Sequence, residues 1–231
     1  MYVSAIVVAA GAALRLKSKI PKPLIKINSL PVIVYSLACL AKSRRINEII
    51  VVANTKNIRG IKKAIKKYKI SKITRIVYGG LQRKDSVRNG ICAVNPQADL
   101  VLIHDGGRPF IDCRIVDRAV AEAGKTGAAI AAVPVKATIK KGTRHKAQGT
   151  SKVVETIDRS DLWEIQTPQV FRKDLINAAF KRFGHLEVTD DAMLVEKLGK
   201  KVSIVLGDYK NIKITTPEDL IIAKVLAKNA K

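Results

Sequence analysis

Aromatic residues are scarce in this chain of 231 residues, which contains four phenylalanines, five tyrosines and one tryptophan. Neither the aromatic motif of RNA-binding sheets nor the spacing of a zinc finger is present, which excludes those nucleic-acid modules. The net charge of +24 would attract polyanions, yet the lysines are spread over most predicted helices. We therefore expect a solvated basic surface and no specific nucleic-acid partner. The alternative is a non-enzymatic basic module that binds nucleotides or RNA.

Cysteine is equally scarce, and its spacing suggests neither a disulfide framework nor a metal site. The three cysteines are Cys39, Cys92 and Cys113. Their odd number and the lack of a Cys-x-x-Cys pair predict reduced, mostly buried thiols. The histidines, His104, His145 and His185, lack the spacing of zinc ligands. We expect them to be structural or surface residues.

Long apolar runs are missing too. No stretch approaches the roughly 18 uninterrupted apolar residues of a membrane span. The first residues also lack the basic region and apolar core of a secretion signal, so we expect a cytoplasmic protein without a membrane segment. With 47% apolar residues over 231 positions, the chain is long enough for one sizeable core. We expect a single domain over 1–231.

Short apolar runs rich in valine and isoleucine alternate with amphipathic segments through residue 133. The predicted strands are 3–10, 49–53, 73–78, 99–104 and 128–133, and the predicted helices are 30–41, 58–68 and 115–124. Buried strands separated by helices are typical of a parallel sheet between layers of helices. The sequence therefore predicts an α/β fold with a mostly parallel, twisted sheet flanked by helices.

The pattern changes beyond Pro134. Residues 136–157 contain two short strand-like segments around the turn-prone run GTRHKAQGTSK, which predicts a β-hairpin arm outside the main sheet. Such a hairpin buries little of itself, so we expect it to pack against the same arm of a second subunit. The remaining predicted elements are a helix opened by Thr189-Asp190-Asp191, strands at 202–206 and 211–215, and a helix from Thr216-Pro217 toward Lys228.

The stretch 3–23 carries the first functional signal. A buried strand ends at Gly11 in a loop of small residues, and the loop then becomes cationic, with Arg15 and Lys22 among its charges. Small residues let backbone N–H groups approach an anion, and fixed cations neutralise phosphoryl oxygens. The stretch matches neither the dinucleotide-binding nor the Walker glycine pattern. It indicates a triphosphate site of another kind, or else an ordinary strand with a solvated exit.

A glycine turn follows the predicted strand 73–78. Gly79-Gly80 makes the turn, and Asp85 or Ser86 is expected to cap the helix that follows. Open α/β sheets bind ligands at the carboxyl ends of their strands, which favours a ligand loop. The alternative is a capped helix with no ligand.

An aspartate comes directly after the predicted strand 99–104. Asp105 precedes Gly106-Gly107 and Arg108, a position from which a carboxylate can reach a magnesium ion bound to phosphates. The alternative is an Asx turn, in which Asp105 bonds only its own backbone. Lys213 lies in the last predicted strand, where alternation alone predicts a surface lysine.

Six segments in order span nearly the whole chain: AAG with Arg15 and Lys22, GGLQRKDSV, HDGGRPF, TIDRSDLWEIQTPQVF, VTDDA and NIKITTPEDL. Together they resemble the 2-C-methyl-D-erythritol 4-phosphate cytidylyltransferase family of the non-mevalonate isoprenoid pathway. The nearest rival is ribitol-5-phosphate cytidylyltransferase, which shares much of the set. The resemblance implies a Rossmann-like nucleotidyltransferase fold and Mg²⁺-dependent transfer of CMP from CTP with release of pyrophosphate. It also implies a homodimer joined through projecting arms, here 136–157.

The resemblance assigns one group of residues to CTP. The backbone against the nucleotide is that of Ala9, Ala10 and Gly11. The catalytic cations are Arg15, Lys22 and, from a distant motif, Lys213. The stretch that contacts cytosine and ribose is represented by Gly80, Asp85 and Ser86.

A second group is assigned to the acceptor. Asp105 matches the acidic residue near the metal and substrate, and Arg108 matches the arginine that follows it. The positions around the methylerythritol phosphate are Thr138, Arg159 and Thr189. Thr167 matches the threonine of the Thr-Pro-Gln signature. The resemblance leaves open whether Arg159 serves its own site or that of the second subunit.

The chain departs from the family pattern at two places. Family members usually carry Gly-x-Gly after the AAG-type turn, whereas Ala12-Ala13-Leu14 follows Gly11 here, so fewer residues can adopt a positive φ. The common Asp-Ala-Ala-Arg becomes Asp105-Gly106-Gly107-Arg108, which we expect to loosen the pocket wall while keeping both charged groups. We expect the activity to survive both changes.

Overall fold

The computed structural model describes residues 1–11, 14–16, 18, 20–143 and 151–228. The strands, in chain order, are β1 (Val3–Val8), β2 (Lys26–Ile27), β3 (Leu30–Pro31), β4 (Glu48–Ala53), β5 (Ile73–Tyr78), β6 (Leu100–Asp105), β7 (Ala128–Pro134), β8 (Ile139–Gly142), β9 (Val153–Ile157), β10 (Trp163–Arg172) and β11 (Ser203–Leu206). The helices are α1 (Val32–Lys42), α2 (Ile58–Lys67), α3 (Arg83–Cys92), α4 (Cys113–Thr126), α5 (Lys173–Phe183), α6 (Ala192–Lys197) and α7 (Pro217–Lys228). Short 3₁₀ turns occupy Leu14–Leu16 and Lys22–Leu24.

Seven of these strands form one mixed sheet in the order β11-β7-β10-β6-β1-β4-β5. The β1 strand pairs in parallel with β4 and β6, and the pairs β4–β5 and β11–β7 are also parallel. The β10 strand alone runs antiparallel, between β6 and β7. The predicted α/β class with a mostly parallel sheet is confirmed. Within the described ranges, no helix is both long and apolar enough to cross a lipid bilayer.

The central strands β1, β4 and β6 are buried on both faces, as their continuous apolar runs predict. Ala5 and Val7 join the cluster beneath α1, α2 and α4, whereas Ile6 joins the cluster beneath α3, α5 and α6. Successive side chains of a strand point to opposite faces, so one strand contributes to both layers. Burial of each such isoleucine or valine stabilises the fold by roughly 1.5–3 kcal/mol. The sheet is therefore a stable support for the loops at the carboxyl ends of its parallel strands.

A small third cluster joins the N-terminal loop to the C-terminal segment. Its buried members are Leu16, Ile27, Val32, Ile214 and Ala223. Because Leu16 follows Arg15 and Ile214 follows Lys213, this packing brings the cationic loop and the C-terminal lysine to the same side of the molecule.

Two N-terminal boundaries differ from the predictions. The α1 helix begins at Val32 rather than at residue 30, because Leu30–Pro31 pairs with β2 in a short hairpin. The α3 helix begins at Arg83, so Asp85 lies inside the first turn instead of preceding it. Its carboxylate accepts a hydrogen bond from the backbone N–H of Gln82 (3.0 Å), which still satisfies a free donor of the helix start.

The C-terminal half differs more. The predicted strand at 211–215 is wrong: this segment pairs with none of the described strands, and the Ile214 N–H donates to the Gly107 carbonyl (2.9 Å). The sequence did not predict β10 or α5. Polar residues interrupt the β10 pattern, yet Gln166, Thr167 and Gln169 are all buried.

The hairpin at 136–157 is confirmed as an antiparallel pair, with β8 and β9 forming a sheet of their own. Both strands are exposed, and the exposed fractions of Val153 and Val154 are 63% and 57%. Residues 144–150 of the predicted arm lie outside the described residues. The exposed valines leave apolar surface uncovered in a single subunit.

The cysteines are less buried than predicted, since Cys92 is exposed and Cys39 and Cys113 are half-buried; all three are free thiols. Of the histidines, His104 is fully buried and His185 is exposed. These two match the expected structural and surface roles, and His145 lies outside the described residues.

Candidate active site

A cavity of about 250 Å³ opens at the carboxyl ends of β1, β5 and β6. It is lined by the exit of β1, the turn before α3, the end of β6, and two lysines from distant parts of the chain. The lining residues are Val8, Ala9, Ala10, Gly11, Lys22, Pro23, Gly80, Leu81, Gln82, Arg83, Ser86, Asp105, Gly106, Gly107 and Lys213. The cavity therefore occupies the usual ligand position of an open α/β sheet.

The turn before α3 is held by two linked hydrogen bonds. The Gly80 N–H donates to Ser86 Oγ (3.1 Å), and that hydroxyl donates to the Gln82 carbonyl (3.2 Å). Gly79 lies so close to the β1 exit that a Cβ atom there would stand 2.4 Å from the Ala10 Cβ. Only glycine permits this approach, which brings the two glycine-containing loops together around the cavity.

The β1 exit is fixed from its other side by two asparagines in the turn after β4. The Asn57 side-chain amide donates to the Ala9 carbonyl (2.8 Å), and the Asn54 amide donates to the Ala10 carbonyl (2.7 Å). These bonds hold both carbonyls away from the cavity. The sequence analysis missed both asparagines.

Two lysines face the cavity from segments that are far apart in sequence. Lys22 Nζ donates to the carbonyl of Ile214 (3.0 Å), and Lys213 Nζ lies 2.6 Å from an Asp105 carboxylate oxygen. Burial lowers the pKa of Lys22, the charge of Lys213 lowers it further, and Asp105 acts in the opposite direction. Clustered cations of this kind favour a bound polyanion.

Asp105 is the centre of the charge network. Besides Lys213, its carboxylate contacts Arg83 Nε at 3.2 Å, and Arg83 continues to Asp191 through Nη1 (2.9 Å). Burial alone would raise the pKa of Asp105, but Arg83 and Lys213 outweigh burial and hold that pKa well below its usual range. Asp105 is therefore ionised at neutral pH and available to a cation.

The backbone of Asp105 is positioned by a buried hydroxyl. Its N–H donates to Thr167 Oγ1 (3.1 Å), and the Thr167 hydroxyl bonds His104 Nδ1 (3.0 Å). His104 Nε2 in turn lies 3.2 Å from the Arg108 carbonyl. Burial lowers the pKa of His104 to about 4. A neutral imidazole that accepts at Nδ1 and donates at Nε2 satisfies all three contacts.

A second cavity, of about 490 Å³, lies on the other side of this network. Its lining residues are Arg83, Asp105, Arg108, Ile130, Ile165, Gln166, Thr167, Gln169, Thr189, Asp190, Met193, Glu196 and Lys213. Arg83, Asp105 and Lys213 line both cavities. A ligand in either cavity would thus meet the same three charged side chains.

Arg108 anchors the segment that carries Lys213. Its Nη1 donates to the Asn211 carbonyl (2.7 Å), and its Nη2 donates to the Ile165 carbonyl (3.3 Å). Asn211 is fully buried, and its amide donates to the Thr167 carbonyl (2.9 Å). This network replaces the ladder bonds that a strand at 211–215 would have had, and it fixes the direction in which Lys213 leaves the backbone.

A sequence model of the family described as 2-C-methyl-D-erythritol 4-phosphate cytidylyltransferase matches residues 3–229. The chain belongs to this family. Enzymes of that name from Alkaliphilus metalliredigens and Shouchella clausii are each 42% identical to it, over 99% of this chain and 94% and 97% of theirs.

Solved structures agree with this membership. The 4-diphosphocytidyl-2C-methyl-D-erythritol synthase of Anaerococcus prevotii has a TM-score of 0.85 at 35% identity, with 98% of this chain and 96% of that chain covered. The 2-C-methyl-D-erythritol 4-phosphate cytidylyltransferase of Thermus thermophilus has a TM-score of 0.78 at 29% identity, with coverage of 99% and 100%. The predicted Rossmann-like nucleotidyltransferase fold is confirmed.

Most residues that the cytidylyltransferase resemblance assigned lie together. Those on the first cavity are Ala9, Ala10, Gly11, Lys22, Gly80, Ser86, Asp105 and Lys213. Those on the second are Asp105, Arg108, Thr167, Thr189 and Lys213. Asp85 lines neither cavity and instead supports the turn before α3. Arg15 is exposed on its 3₁₀ turn, outside the lining of the first cavity.

Thr138 and Arg159 stand apart from both cavities. They are exposed at the base of the hairpin, where Arg159 Nη1 donates to the Lys136 carbonyl. Within one subunit, the structure does not bring these two residues to the site.

The departures from the cytidylyltransferase pattern have different outcomes. Ala12 and Ala13 lie outside the described residues. At Gly106, a Cβ atom would stand 3.2 Å from the Val8 carbonyl oxygen and 3.3 Å from the Ala9 Cβ. The expected loosening of the wall is therefore absent at this position, because the glycine lies close to the β1 exit.

Arg83 is the charged residue that the sequence analysis missed. It lies inside the GGLQRKDSV segment, but its role depends on Asp105 and Asp191, which come much later in the chain. The available signal was a cation at the start of a helix that follows a glycine turn. Helix starts favour anions. A cation at this position therefore indicates an interaction with another part of the structure.

Proposed function

We propose that the protein transfers CMP from CTP to 2-C-methyl-D-erythritol 4-phosphate, which gives 4-diphosphocytidyl-2-C-methyl-D-erythritol and pyrophosphate for isoprenoid precursor synthesis. The observation that carries this proposal is the shared wall of the two cavities, formed by Arg83, Asp105 and Lys213. Transfer between two phosphates requires that both be brought to one set of cations. Family membership supplies the identity of the substrates.

CTP occupies the first cavity in this proposal. The β1 exit and the turn at Gly80 line this cavity, and Ser86 holds that turn in shape by accepting a hydrogen bond from the Gly80 N–H. Lys22 contacts the triphosphate, and Arg15, exposed on the same N-terminal loop, is the second cation assigned to the phosphates. In this proposal the loop at 79–86 contacts cytosine and ribose, and CTP is therefore preferred over the purine nucleotides.

The acceptor occupies the second cavity, with its phosphate toward Arg108 and Lys213. A phosphate oxygen attacks the α-phosphorus of CTP in line; the new P–O bond forms as the bond to the bridging oxygen breaks, and pyrophosphate leaves. Lys22 and Lys213 neutralise the charge on the transferring and leaving oxygens. No general base is required, because a phosphate monoester is already largely ionised at neutral pH.

The residues fit a magnesium ion held mainly by the substrates. Among the described residues no cluster of three or more histidine, cysteine or acidic side chains could hold a metal, but Mg²⁺ is often bound by about one or two carboxylates together with phosphates. Asp105, ionised and facing both cavities, is the carboxylate that would hold it. When bound, a magnesium ion would supply positive charge that offsets the charge of the phosphates.

The proposal includes a homodimer joined through the arm. Val153 and Val154 leave apolar surface on a two-stranded sheet that is too small to be stable alone. Thr138 and Arg159 reach neither cavity of their own subunit, which supports contribution to the second subunit's acceptor cavity. The expected cytoplasmic location belongs to the same proposal and rests on the odd number and wide spacing of the cysteines in the sequence.

Pyrophosphate release tests the function directly. The purified protein is given CTP and Mg²⁺ with either 2-C-methyl-D-erythritol 4-phosphate or ribitol 5-phosphate, and then each of the four nucleoside triphosphates competes in the same assay. We expect release with the methylerythritol phosphate and preference for CTP. Turnover with ribitol phosphate alone would reassign the acceptor. If neither acceptor gives pyrophosphate release, or if a purine nucleotide is turned over as fast as CTP, the proposal is wrong.

A further inference from the structure

We propose that Asp191 is a positioning residue for the transfer reaction, which acts by holding Arg83 in the wall between the two cavities. This inference rests on the proposed function. Asp191 is completely buried, and its carboxylate lies 2.9 Å from Arg83 Nη1. Arg83 Nε then contacts Asp105 at 3.2 Å. One guanidinium thus bridges a buried carboxylate and the carboxylate that faces the substrates.

Capping of α6 does not explain Asp191. The Asp190 carboxylate accepts from the Met193 N–H (3.1 Å), and the Gln169 side chain accepts from the N–H groups of Asp191 and Ala192 (3.2 Å each). Among the described residues the only ion-pair partner of the Asp191 carboxylate is Arg83. A buried ion pair is a weak source of stability. We therefore infer that this pair serves to fix the position of Arg83.

A second contact couples the same two segments. Lys84 Nζ donates to the carbonyls of His185 (3.2 Å) and Leu186 (2.8 Å). The start of α3, which follows the nucleotide turn, is therefore fastened to the segment that carries Thr189 at the acceptor cavity. The two segments are thus joined twice, by the buried Arg83–Asp191 ion pair and by the hydrogen bonds of Lys84.

The test is Asp191→Asn, which keeps the shape of the side chain and removes its charge. We expect kcat to fall by roughly tenfold or more, because Arg83 is free to leave Asp105, while KM for CTP changes less. Asp174→Asn is the matched control, since Asp174 forms an exposed ion pair with Arg172 outside both cavities. The control should retain wild-type kcat.

Double-variant kinetics separate positioning from a general structural effect. If Asp191 acts only through Arg83, then Asp191→Asn adds nothing to Arg83→Gln, and the double variant has the activity of Arg83→Gln alone. If the kcat losses of the two single variants multiply in the double variant, the inference is wrong. It is also wrong if Asp191→Asn keeps the wild-type kcat. If Asp191→Asn does not fold, Arg83→Gln must by itself show the fall in kcat with little change in KM. A wild-type enzyme without turnover would instead refute the proposed function.

An independent observation concerns two of the cysteines. We infer that Cys39 and Cys113 are a site of reversible disulfide formation. Their Sγ atoms lie 2.7 Å apart, whereas a disulfide bond is about 2.05 Å long. Both residues are half-buried, so a small oxidant has access. The bond would join α1 to the first residue of α4.

The oxidant that we name is hydrogen peroxide. The Cys113 sulfur attacks one peroxide oxygen, the O–O bond breaks, and one water leaves with formation of a sulfenic acid. The Cys39 sulfur then attacks the Cys113 sulfur, the S–S bond forms, and the second water leaves. Two thiols are oxidised and one peroxide is reduced to two waters. Burial raises the pKa of the Cys39 thiol, which makes Cys39 the resolving thiol in this scheme.

Counting free thiols in the full chain tests this site, with the exposed Cys92 as an internal reference. After mild peroxide treatment we expect the count to fall from three thiols to one, with a Cys39–Cys113 peptide link found by mass spectrometry and reversed by dithiothreitol. Cys92→Ser should still lose two thiols, whereas Cys39→Ser should form no internal link. Three remaining thiols, or a link only between Cys92 residues of two chains, would refute the inference.

Discussion

The ammonium group of Lys22 donates a hydrogen bond of 3.0 Å to the carbonyl oxygen of Ile214, the residue that follows Lys213. This contact fastens the N-terminal loop to a segment near the end of the chain and places two cations on one side of the nucleotide cavity. Burial and the charge of Lys213 both lower the pKa of Lys22. A bound triphosphate would relieve this repulsion, so the site is arranged for a polyanion before it arrives.

The first prediction concerns the transition state. We expect Lys22→Ala to lower kcat by roughly 10²–10³, the usual effect of removing one stabilising donor, with a smaller change in KM. Steady-state pyrophosphate release measures both constants. Lys26→Ala is the control, because Lys26 is exposed a few residues away. A rise in KM with unchanged kcat would show that Lys22 binds the ground state and transition state equally.

The second prediction concerns the turn that holds the nucleotide. A Cβ atom on Gly80 would stand 2.3 Å from the Asp85 Cβ, so Gly80→Ala must move the turn and break the bond from the Gly80 N–H to Ser86. We expect KM for CTP to rise by roughly tenfold, with less effect on kcat. Gly124→Ala is the control, since its new methyl group meets only the flexible Met1 side chain (3.3 Å). Unchanged KM for CTP would place the nucleotide elsewhere.

The third prediction concerns pH. Burial lowers the pKa of His104 to about 4 in the folded protein, against about 6.5 in an unfolded chain. Between these values the unfolded state binds more protons, so the free energy of unfolding falls as the pH drops from about 6.5 toward 4. We expect this residue to cost about 2 kcal/mol of stability between about pH 7 and pH 5.

Urea unfolding at both pH values measures this effect. His104→Gln cannot titrate and should lose about 2 kcal/mol less than the wild type over the same interval. His185→Gln removes an exposed histidine and should behave like the wild type. Carboxylates contribute equally to all three proteins, so the comparison isolates His104. An equal loss in His104→Gln would contradict the assignment.

The central sheet could be predicted because its signals are local. The predicted strand at 73–78 coincides with β5, and the runs that form β1, β4 and β6 are mostly apolar, as expected of strands buried on both faces. The β10 strand is buried only from Gln166 to Phe171, and this buried part carries Gln166 and Gln169. Their partners, Asn211 and the start of α6, are distant in sequence. Spacing along one segment cannot reveal such partners.

Within the candidate site too, some residues carry a local sequence signal and others do not. Lys22 and Asp105 lie beside glycine loops, where sequence alone indicates a ligand, and the structure places both on the first cavity. Nothing in the sequence connects Arg83 with Asp191. Only the fold brings Arg83 Nη1 within 2.9 Å of the Asp191 carboxylate. Lys213 was expected on a strand and was identified only through resemblance. Its actual support is the hydrogen bond from Arg108 to the carbonyl of Asn211, two residues before Lys213.

The fourth prediction concerns the arm. Deleting 139–152 and joining the ends with two glycines removes β8 and the loop to β9. Because the arm's exposed valines lose their opposite strand, we expect the deletion variant to be monomeric and to lose most of its activity. Light scattering after size-exclusion chromatography gives the mass, and CTP binding by calorimetry confirms that the sheet remains folded. A dimeric, fully active deletion variant would show that the interface lies elsewhere.

The last prediction asks which subunit Arg159 serves. Arg159 is exposed and lines neither cavity of its own chain, so we expect it to grip the acceptor phosphate in the second subunit, where its planar fork can bond two oxygens. Arg159→Ala and Lys22→Ala should each be nearly inactive as homodimers. In a heterodimer of the two, one site receives both substitutions, and the other combines an intact nucleotide cavity with an intact arm.

Co-expression with two different affinity tags yields that heterodimer in pure form. If the arms are exchanged, it should recover about half of the wild-type activity, because one of the two symmetric sites is complete. If Arg159 instead serves its own subunit, every site carries one substitution and no activity returns. A heterodimer of Lys22→Ala with wild type is the reference for one working site, and it should match the recovered activity because both contain one unaltered site.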